Sequence, residues 1–439
     1  MFVGNVFQQS YNIVDSVIVG RLVGKSALAA VGASFPVVFL FVSLVMGATV
    51  GFSIVISQFF GAKDTIRVRG AIDTAYTFLF FAGLLMSLSG FFLSPHILAF
   101  LNTPSEIFTQ ALSYMRIIMF GFVFMFGYTC ISAVLRGLGD SMTPLYFLVF
   151  SNCLNALLVI VFVKYLGWGV AGSAWGTVIS QAVAFLLLAG YLARTNRLVR
   201  VRFFCSGFDW EILRKSLKIG LPSGVQQMMV AGGMMAVARM VNNFGTDTVA
   251  AYSAAGRADS FALMPAMSLS TAVSTFVGQN LGAGRIDRVE KGLKTSLAIS
   301  AAISLLVTVI VTSMGHRIIS LFNSDPAVIS IGTRYLVIVG GFYLLFSWMF
   351  VINGLLRGVG DAIIPMIVVV LSLWIVRVPV SDLLSSRIGS DGIWWGIPLS
   401  WAFGLAASSG YYLTGKWKRK VVPYLSIPQS EREPQRERV

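Results

Sequence analysis

Charged residues are scarce in this chain of 439 residues, at 12% of the total, against roughly 25% in soluble domains. The chain has only 3 cysteines and 2 histidines, without the spacing of a disulfide framework or a metal site. It also lacks a Walker motif and any nucleophile–base constellation. These absences argue against a soluble protein, a metalloprotein, an ATP-driven pump and an enzyme with a catalytic residue. We expect no cofactor beyond a transported ion.

Apolar residues dominate instead, at 56% of the chain, with a mean hydropathy of +0.81. Runs of about 20 apolar residues recur from end to end, and each is long enough to cross a hydrocarbon core roughly 30 Å thick. The pattern predicts an all-α polytopic membrane protein with twelve transmembrane helices. The runs cover approximately residues 2–20, 32–57, 71–95, 108–135, 143–163, 170–192, 215–241, 250–277, 292–314, 329–354, 364–384 and 393–415.

The net charge of +15 is distributed unevenly between the loops. Most of the basic residues fall in every second loop and in the tail, which by the positive-inside rule predicts both termini in the cytoplasm. We therefore expect a multi-pass protein of the plasma membrane, in bacteria or archaea the cytoplasmic membrane. A nucleic-acid partner would require one contiguous basic face, which the sequence lacks. Met1 lies almost inside the first apolar run, so a natural start upstream of it is a further hypothesis.

An internal repeat relates the two halves of the chain at an offset of 221 residues. Each half contains six apolar runs, an even number, so the halves have the same orientation and form parallel repeats about a pseudo-two-fold axis. The predicted organisation is an N-lobe (1–193), a cytoplasmic inter-lobe loop (194–214), a C-lobe (215–418) and a disordered cytoplasmic tail (419–439). Matching pairs include Gly24 and Gly245, Gln58 and Gln279, Asn102 and Asn323, Arg136 and Arg357, and Pro144 and Pro365.

The first apolar run, QQSYNIVDSVIVGRLVG, contains a carboxylate. Helical spacing places Gln8, Asn12 and Asp15 on one face. An ionised Asp at the centre of a membrane helix costs about 2.5–3.5 kcal/mol on insertion scales, so it must face protein or water. The favoured interpretation is a proton- or cation-binding site at Asp15. The alternative is a structural Asp bonded to a neighbouring helix.

Other polar residues in apolar runs are weaker candidates. Asn152 and Asn155 share a helix face and are predicted to help hold the ion or proton at Asp15, although such amides also bond neighbouring helices. The predicted substrate cavity combines residues of both halves. Arg377 is one of its candidates, and the alternative for this residue is a structural ion pair. Arg257 and Asp259 point to different faces, and we expect pairing with other helices or a place near the outer end. The cavity candidates are Gln8, Asn12, Gln226, Gln227, Met228 and Arg377.

These stretches together resemble the MATE (multidrug and toxic compound extrusion) family of cation-coupled efflux transporters. The matching segments include the first run and ALAAVGASFPV, GFSIVISQFFGAKD, VLRGLGDSMTP, GWGVAGSAWGTVISQ, TFVGQNLGAGR and INGLLRGVGDAIIP, which lie in both halves. The resemblance implies two six-helix lobes and export of cationic, amphipathic compounds in exchange for H⁺ or Na⁺.

The resemblance also bears on individual residues. Asp15 stands where the family has its first-helix carboxylate, and Asn155 matches an Asn of the fifth helix whose usual acid partner is here Val159. The resemblance thus leaves Asp15 as the main coupling residue of a monomeric antiporter working by alternating access on small molecules in the bilayer. The alternatives are a flippase for lipid-linked precursors in the same superfamily, and a channel or non-transporting membrane protein.

Overall fold

The computed structural model describes residues 2, 4–7, 9, 25–101, 103–195 and 207–419. Within these ranges the chain is helical and contains no strand, which confirms the predicted all-α fold class. Three residues of the predicted site, Gln8, Asn12 and Asp15, lie outside the described residues. So do residues 196–206 of the predicted inter-lobe loop and the tail from residue 420 onward.

The chain divides into two compact units, and the boundary lies inside one helix, between Gly224 and Val225. The lobe boundaries predicted at residues 193 and 215 stay a prediction. In the first unit a short π-helical segment, π1 (Val161–Tyr165), continues the fourth described helix. The described helices up to the boundary are α1 (Lys25–Gly61), α2 (Thr65–Phe100), α3 (Ser105–Gly137), α4 (Met142–Ile160), α5 (Gly169–Thr195) and the first part of α6 (Trp210–Asn242).

The second unit contains the rest of α6 and the helices that follow it. A second π-helical segment, π2 (Leu371–Arg377), interrupts one of the predicted apolar runs. The helices are α7 (Thr246–Gly282), α8 (Ile286–Ser320), α9 (Pro326–Gly340), α10 (Tyr343–Val359), α11 (Ile363–Val370), α12 (Val378–Ile388), α13 (Ser390–Leu413) and α14 (Lys416–Arg419).

Most of these helices could cross a membrane. In the described part of the chain eight helical segments are long and apolar enough, or nine if α9 and α10 together form one span. Every predicted apolar run from 32–57 onward coincides with one or more helices. The runs at 215–241 and 393–415 form α6 and α13, which are not among these segments.

The same turn occurs at corresponding places in both units. Gly139 and Gly360, 221 residues apart, have φ values of 95° and 94°. The next residue, Asp140 or Asp361, donates its backbone N–H to the carbonyl five residues earlier, at 2.8 and 2.9 Å. This is the Schellman arrangement, which closes a helix through a left-handed glycine. Asp140 also accepts from the backbone N–H groups two and three residues later, both at 3.0 Å, and thereby caps the start of α4.

Two breaks shape the helices of the second unit. The axes of α9 and α10 differ by 48° across Gly341 and Phe342. The segment π2 ends two residues before Pro379, which has no N–H and whose ring cannot fit against the carbonyl four residues earlier. The turn before Pro379 therefore widens, as is common next to a helix irregularity. The second break carries a charged residue, since Arg377 is the last residue of π2.

The buried core of the second unit is rich in aromatic residues. Helix α7 packs against α8, α9 and α10, and α13 packs against α10, α12 and π2. Tyr335, Tyr343, Trp394 and Trp401 lie in the cluster that these helices enclose. Rings of this kind supply large apolar area, while the tyrosine hydroxyls still need partners when they are buried.

Candidate ion and substrate site

The two asparagines of α4 bond to neighbouring helices of the first unit. Asn155 is buried, and its Nδ2 donates to Thr177 Oγ1 of α5 at 3.1 Å. Asn152, one turn earlier, donates its Nδ2 to the backbone carbonyl of Phe7 at 3.3 Å. The interhelical role that the sequence left open is therefore present for both amides. The contact with Phe7 joins α4 to one described residue of the first apolar run.

The acid position that the family resemblance assigns to α4 is occupied by a packed side chain. Val159 is fully buried, and its side chain fills the space beside Gly176 of α5. A carboxylate there would need a hydrogen-bonding partner that this apolar contact does not provide. Close packing of α4 on α5 thus takes the place of a second acid in the first unit.

The candidates on α6 lie just after the boundary between the units. Gln226 is buried, whereas Gln227 and Met228 are half-buried. The next residue, Met229, accepts a hydrogen bond at 3.1 Å through its backbone carbonyl from Trp374 Nε1 of π2. A Cβ added at Gly233 would lie 2.2 Å from Leu373 Cδ2, so α6 and π2 approach closely here. The predicted cavity residues of α6 are thereby neighbours of the segment that carries Arg377.

A carboxylate lies at the centre of the second unit. Asp259 of α7 is only 8% exposed, and each of its oxygens accepts a hydrogen bond from a tyrosine. Tyr335 of α9 donates to Oδ2 at 2.6 Å, and Tyr343 of α10 donates to Oδ1. Two charge-assisted bonds of this kind offset part of the cost of keeping a carboxylate away from water. The residue pairs with other helices, as one of the two sequence-based alternatives predicted.

Aromatic rings surround this carboxylate. Tyr252 interacts electrostatically with Asp259. Its ring stacks on Trp394, with ring centroids 5.7 Å apart and planes 7° apart. Tyr335 meets the same indole edge-on at 4.9 Å. Trp394 is fully buried, and within the described part of the chain its Nε1 has no hydrogen-bond partner. The carboxylate is thus held in a rigid aromatic setting with little water.

Arg377, at the end of π2, brings a positive charge to the same region. Its Nε donates to Ser400 Oγ of α13 at 3.0 Å, and its guanidinium lies 5.9 Å from the ring centre of Trp401. It interacts electrostatically with Asp259. Cation–π contact and an opposite charge are the usual ways in which a membrane arginine is compensated. The structure therefore gives Arg377 a hydrogen bond and a cation–π contact within the unit, and its role in a substrate cavity stays a prediction.

Together these groups form a charged centre whose members come from four elements of the second unit, α7, α9, α10 and π2. We call it the Asp259 centre; it comprises Tyr252, Asp259, Tyr335, Tyr343 and Arg377. It holds one acid and one base in an apolar protein interior, where charges interact strongly. Any change in the charge of the acid therefore alters the environment of the base. Such a centre can bind a proton or select against a cation without a metal.

Of the Asp259 centre only Arg377 was among the predicted site residues, although one signal for Asp259 was available. Asp259, like Asp15, is an acid in the middle of an apolar run, and such an acid is a candidate functional residue at either position. What the sequence could not give is the set of partners, because Tyr335 and Tyr343 are 76 and 84 residues away. Arg257, which shares the helix, points elsewhere and lies over the Phe322 ring at 6.0 Å.

A metal centre finds no support in the described part of the chain, where no three His, Cys, Asp or Glu side chains are placed to share an ion. The candidates of the second unit, Gln226 to Met228 and Arg377, lie on adjacent elements. Those of the first unit that are described, Asn152 and Asn155, lie on one face of α4.

Comparison with known families gives the repeat a second, independent basis. The MatE family model matches residues 1–161 and again residues 222–382. The second match begins and ends 221 residues after the first, which is the offset read from the sequence. The family model therefore describes one repeat, and this chain contains two.

Full-length relatives and solved structures agree with this match. The probable multidrug resistance protein YpnP of Bacillus subtilis is 35% identical over 95% of this chain and 94% of its own length. The probable multidrug resistance protein NorM of Thermotoga maritima is 26% identical over 95% of this chain and 91% of its own. An outward-facing MATE family transporter of the MOP superfamily has the same fold, with a TM-score of 0.88 at 23% identity over 97% and 95% of the two chains. The chain belongs to the MATE family of membrane transporters.

Proposed function

We propose that this protein is a secondary active multidrug efflux antiporter of the plasma membrane. It exports cationic or amphipathic small molecules in exchange for H⁺ or Na⁺ by alternating access, as a monomer with both termini in the cytoplasm. The observation that carries the proposal is the likeness to the YpnP protein over nearly the whole of both chains, in a family of transporters. The buried charged groups of its apolar helices supply the chemistry.

Coupling in the first half is assigned to Asp15 with help from Asn155 and Asn152. The bond from Asn152 to the backbone carbonyl of Phe7, eight residues before Asp15 in the sequence, supports the choice of α4 as a partner of the first apolar run. Loading of the carboxylate by a proton or Na⁺ removes a negative charge that attracts a cationic substrate, so binding of the two is mutually exclusive. Gln8, Asn12, Gln226, Gln227, Met228 and Arg377 are proposed to line the substrate pathway.

The test is efflux of a fluorescent cationic dye from proteoliposomes under an imposed pH gradient, with a sodium gradient as the second condition. Wild type and Asp15→Asn are compared in parallel. We expect gradient-driven flux in the wild type and its loss in the variant. Flux that survives the substitution would move coupling away from Asp15. No flux under either gradient would contradict the proposal and favour a lipid-linked cargo.

A further inference from the structure

Asp259 joins the two sides of a broken helix. Tyr335 lies five residues before the end of α9, and Tyr343 is the first residue of α10. Their hydroxyls bind opposite oxygens of one carboxylate, and the 48° bend lies between them. The side chain of Asp259 therefore acts as a bracket across the break.

The break does not need this bracket to satisfy its backbone. The carbonyl of Gly340 accepts from Thr308 Oγ1 of α8 at 2.7 Å. The N–H groups of Gly341 and Phe342 donate to carbonyls of α9 at 3.2 and 3.1 Å. The orphan groups that a helix end normally leaves thus have partners of their own. Satisfaction of the backbone therefore does not explain why an acid is buried here. Burying a carboxylate costs free energy, so its presence needs another explanation.

The protonation state of Asp259 decides the direction of its hydrogen bonds with Tyr335 and Tyr343. The ionised carboxylate only accepts hydrogen bonds, and both tyrosines donate to it. A protonated carboxyl carries one O–H, which must donate to an acceptor, so one tyrosine oxygen has to accept and turn its own hydrogen away. On that side of the bracket the hydrogen bond reverses its direction, and the tyrosine hydrogen needs a new acceptor.

The charges around Asp259 change at the same time. The titratable and charged groups that influence it are Tyr335 from α9, Tyr343 from α10, Arg377 from π2 and Tyr252 from its own helix. Arg377 is the positively charged member of this group. When the carboxylate is neutral, Arg377 loses its opposite charge, and a cationic substrate near it is disfavoured.

We propose that Asp259 is a proton-binding site of the C-terminal half, and that its protonation changes the bend between α9 and α10. The proton binds a carboxylate oxygen and is released from the same atom. The proposal rests on the antiport proposed above and adds a second coupling site to it. It assigns the site to α7, with Tyr335 and Tyr343 as positioning residues.

Infrared difference spectroscopy on the full-length protein in proteoliposomes tests proton binding without any need for transport. Acidification should produce a carboxylic-acid C=O band in the wild type that is missing from Asp259→Asn. Asp361→Asn is the matched control, since Asp361 is also buried and accepts from a tyrosine, Tyr411, at 2.6 Å. This variant should keep the band. A band that persists in Asp259→Asn would overturn the proposal.

Spin labels report the bend. Labels at the exposed positions Val337 of α9 and Leu306 of α8 give a distance by pulsed electron resonance after replacement of the native cysteines. We expect its distribution to change with pH in the wild type and to stay fixed in Asp259→Asn. If Asp259→Asn does not fold, Tyr335→Phe and Tyr343→Phe replace it, and each should alter the pH-dependent change. A pH-dependent distance that is the same in every variant would contradict the link to the bend.

Transport separates this proposal from the one on which it rests. Asp259→Asn should lower pH-driven dye accumulation roughly tenfold, a typical size for coupling between two sites. If the wild type shows no gradient-driven flux but the infrared band still depends on Asp259, the antiport proposal fails while proton binding stands. If flux is normal in Asp259→Asn, the coupling role of Asp259 is wrong and the antiport proposal stands.

Discussion

The two repeats conserve their architecture but place their polar groups differently. The buried bond from Ser151 to the carbonyl of Ser180, at 3.1 Å, has a counterpart in the second half, where Ser372 donates to the carbonyl of Ser400. Ser372 follows Ser151 by 221 residues and Ser400 follows Ser180 by 220, a slip of one residue. By contrast, Asp259 corresponds to Val38 in the first half, and Asp15 corresponds to Ala236 in the second. Helix contacts are therefore repeated, whereas each half has its own acid on a different helix.

The partners of these acids follow the same division. Tyr335 and Tyr343 correspond to Tyr114 and Phe122, so the first half lacks one of the two hydroxyls that hold Asp259. Asn155 in turn corresponds to Val376. A polar side chain in an apolar core requires its partners at the same time, because an unpaired one is costly. The charged centre of each half is consequently built as a set.

The largest effect is expected from removal of the acceptor at the Asp259 centre. Asp259→Ala should destabilise the protein by roughly 2–6 kcal/mol, since two buried hydroxyls each lose an acceptor worth about 1–3 kcal/mol. Its counterpart Val38→Ala should cost about 1 kcal/mol, the value of a half-buried pair of methyl groups. Thermal denaturation of the purified protein measures both. Equal losses of stability would mean that the two halves do not differ at this position.

Asn155 gives the next comparison, between structure and ion binding. Asn155→Val and Thr177→Val both remove the 3.1 Å bond between α4 and α5, at a cost of about 1 kcal/mol each. If Asn155 also holds the ion, only Asn155→Val should abolish gradient-driven flux. Dye efflux and thermal denaturation on the same preparations separate the two roles. If flux falls in both variants in proportion to their loss of thermal stability, Asn155 serves only as an interhelical hydrogen-bond donor and does not hold the ion.

The serine hydrogen bond that occurs in both halves should contribute equally to thermal stability in each. Ser151→Ala and Ser372→Ala each remove one hydroxyl donor between helices, which in membrane proteins is worth about 0.6 kcal/mol on average. We expect small and similar losses of thermal stability with transport retained. A much larger loss for Ser372→Ala would show that its position beside the Asp259 centre matters, since Ser400 also binds Arg377.

The smallest effect concerns a turn that the repeats close with different residues. Lys63 has a φ of 59°, and its counterpart Gly284 has a φ of 71°. A non-glycine residue in this left-handed region carries about 1–2 kcal/mol of strain, whereas glycine adopts it freely. Lys63→Gly should therefore stabilise the protein by about 0.5–1 kcal/mol and Gly284→Ala should destabilise it by about as much. Opposite signs in thermal denaturation are the result to look for.

Local features were the part of the fold that sequence reasoning reached. The Arg-Gly-x-Gly-Asp turns were predictable because a left-handed glycine and a capping Asp act within a few residues. The breaks were not predicted. The run at 329–354 is divided by Gly341 and Phe342, and the run at 364–384 contains π2. Apolar composition alone does not reveal a bend, because a bent span and a straight one bury the same residues.

For the site residues too, the sequence reveals single charged residues but not their partners. Asp259 and Arg377 could each be recognised as charges inside apolar runs, since the cost of a charge in hydrocarbon depends only on the residue and its depth. Their interaction with each other and with two tyrosines could not, because those residues come from separate helices. The interhelical role of Asn155 likewise depended on which residue of α5 faces it.

The sequence by itself determined that this chain is a helical membrane protein made of two parallel repeats, because hydropathy, charge bias and a fixed offset are properties of the chain alone. The tertiary structure decided which polar side chains meet. It brought Tyr335 and Tyr343 to the two oxygens of Asp259 across a helix break. The physical reason is that hydrogen bonds act over about 3 Å, whereas the residues that form them here are some 80 positions apart in the chain.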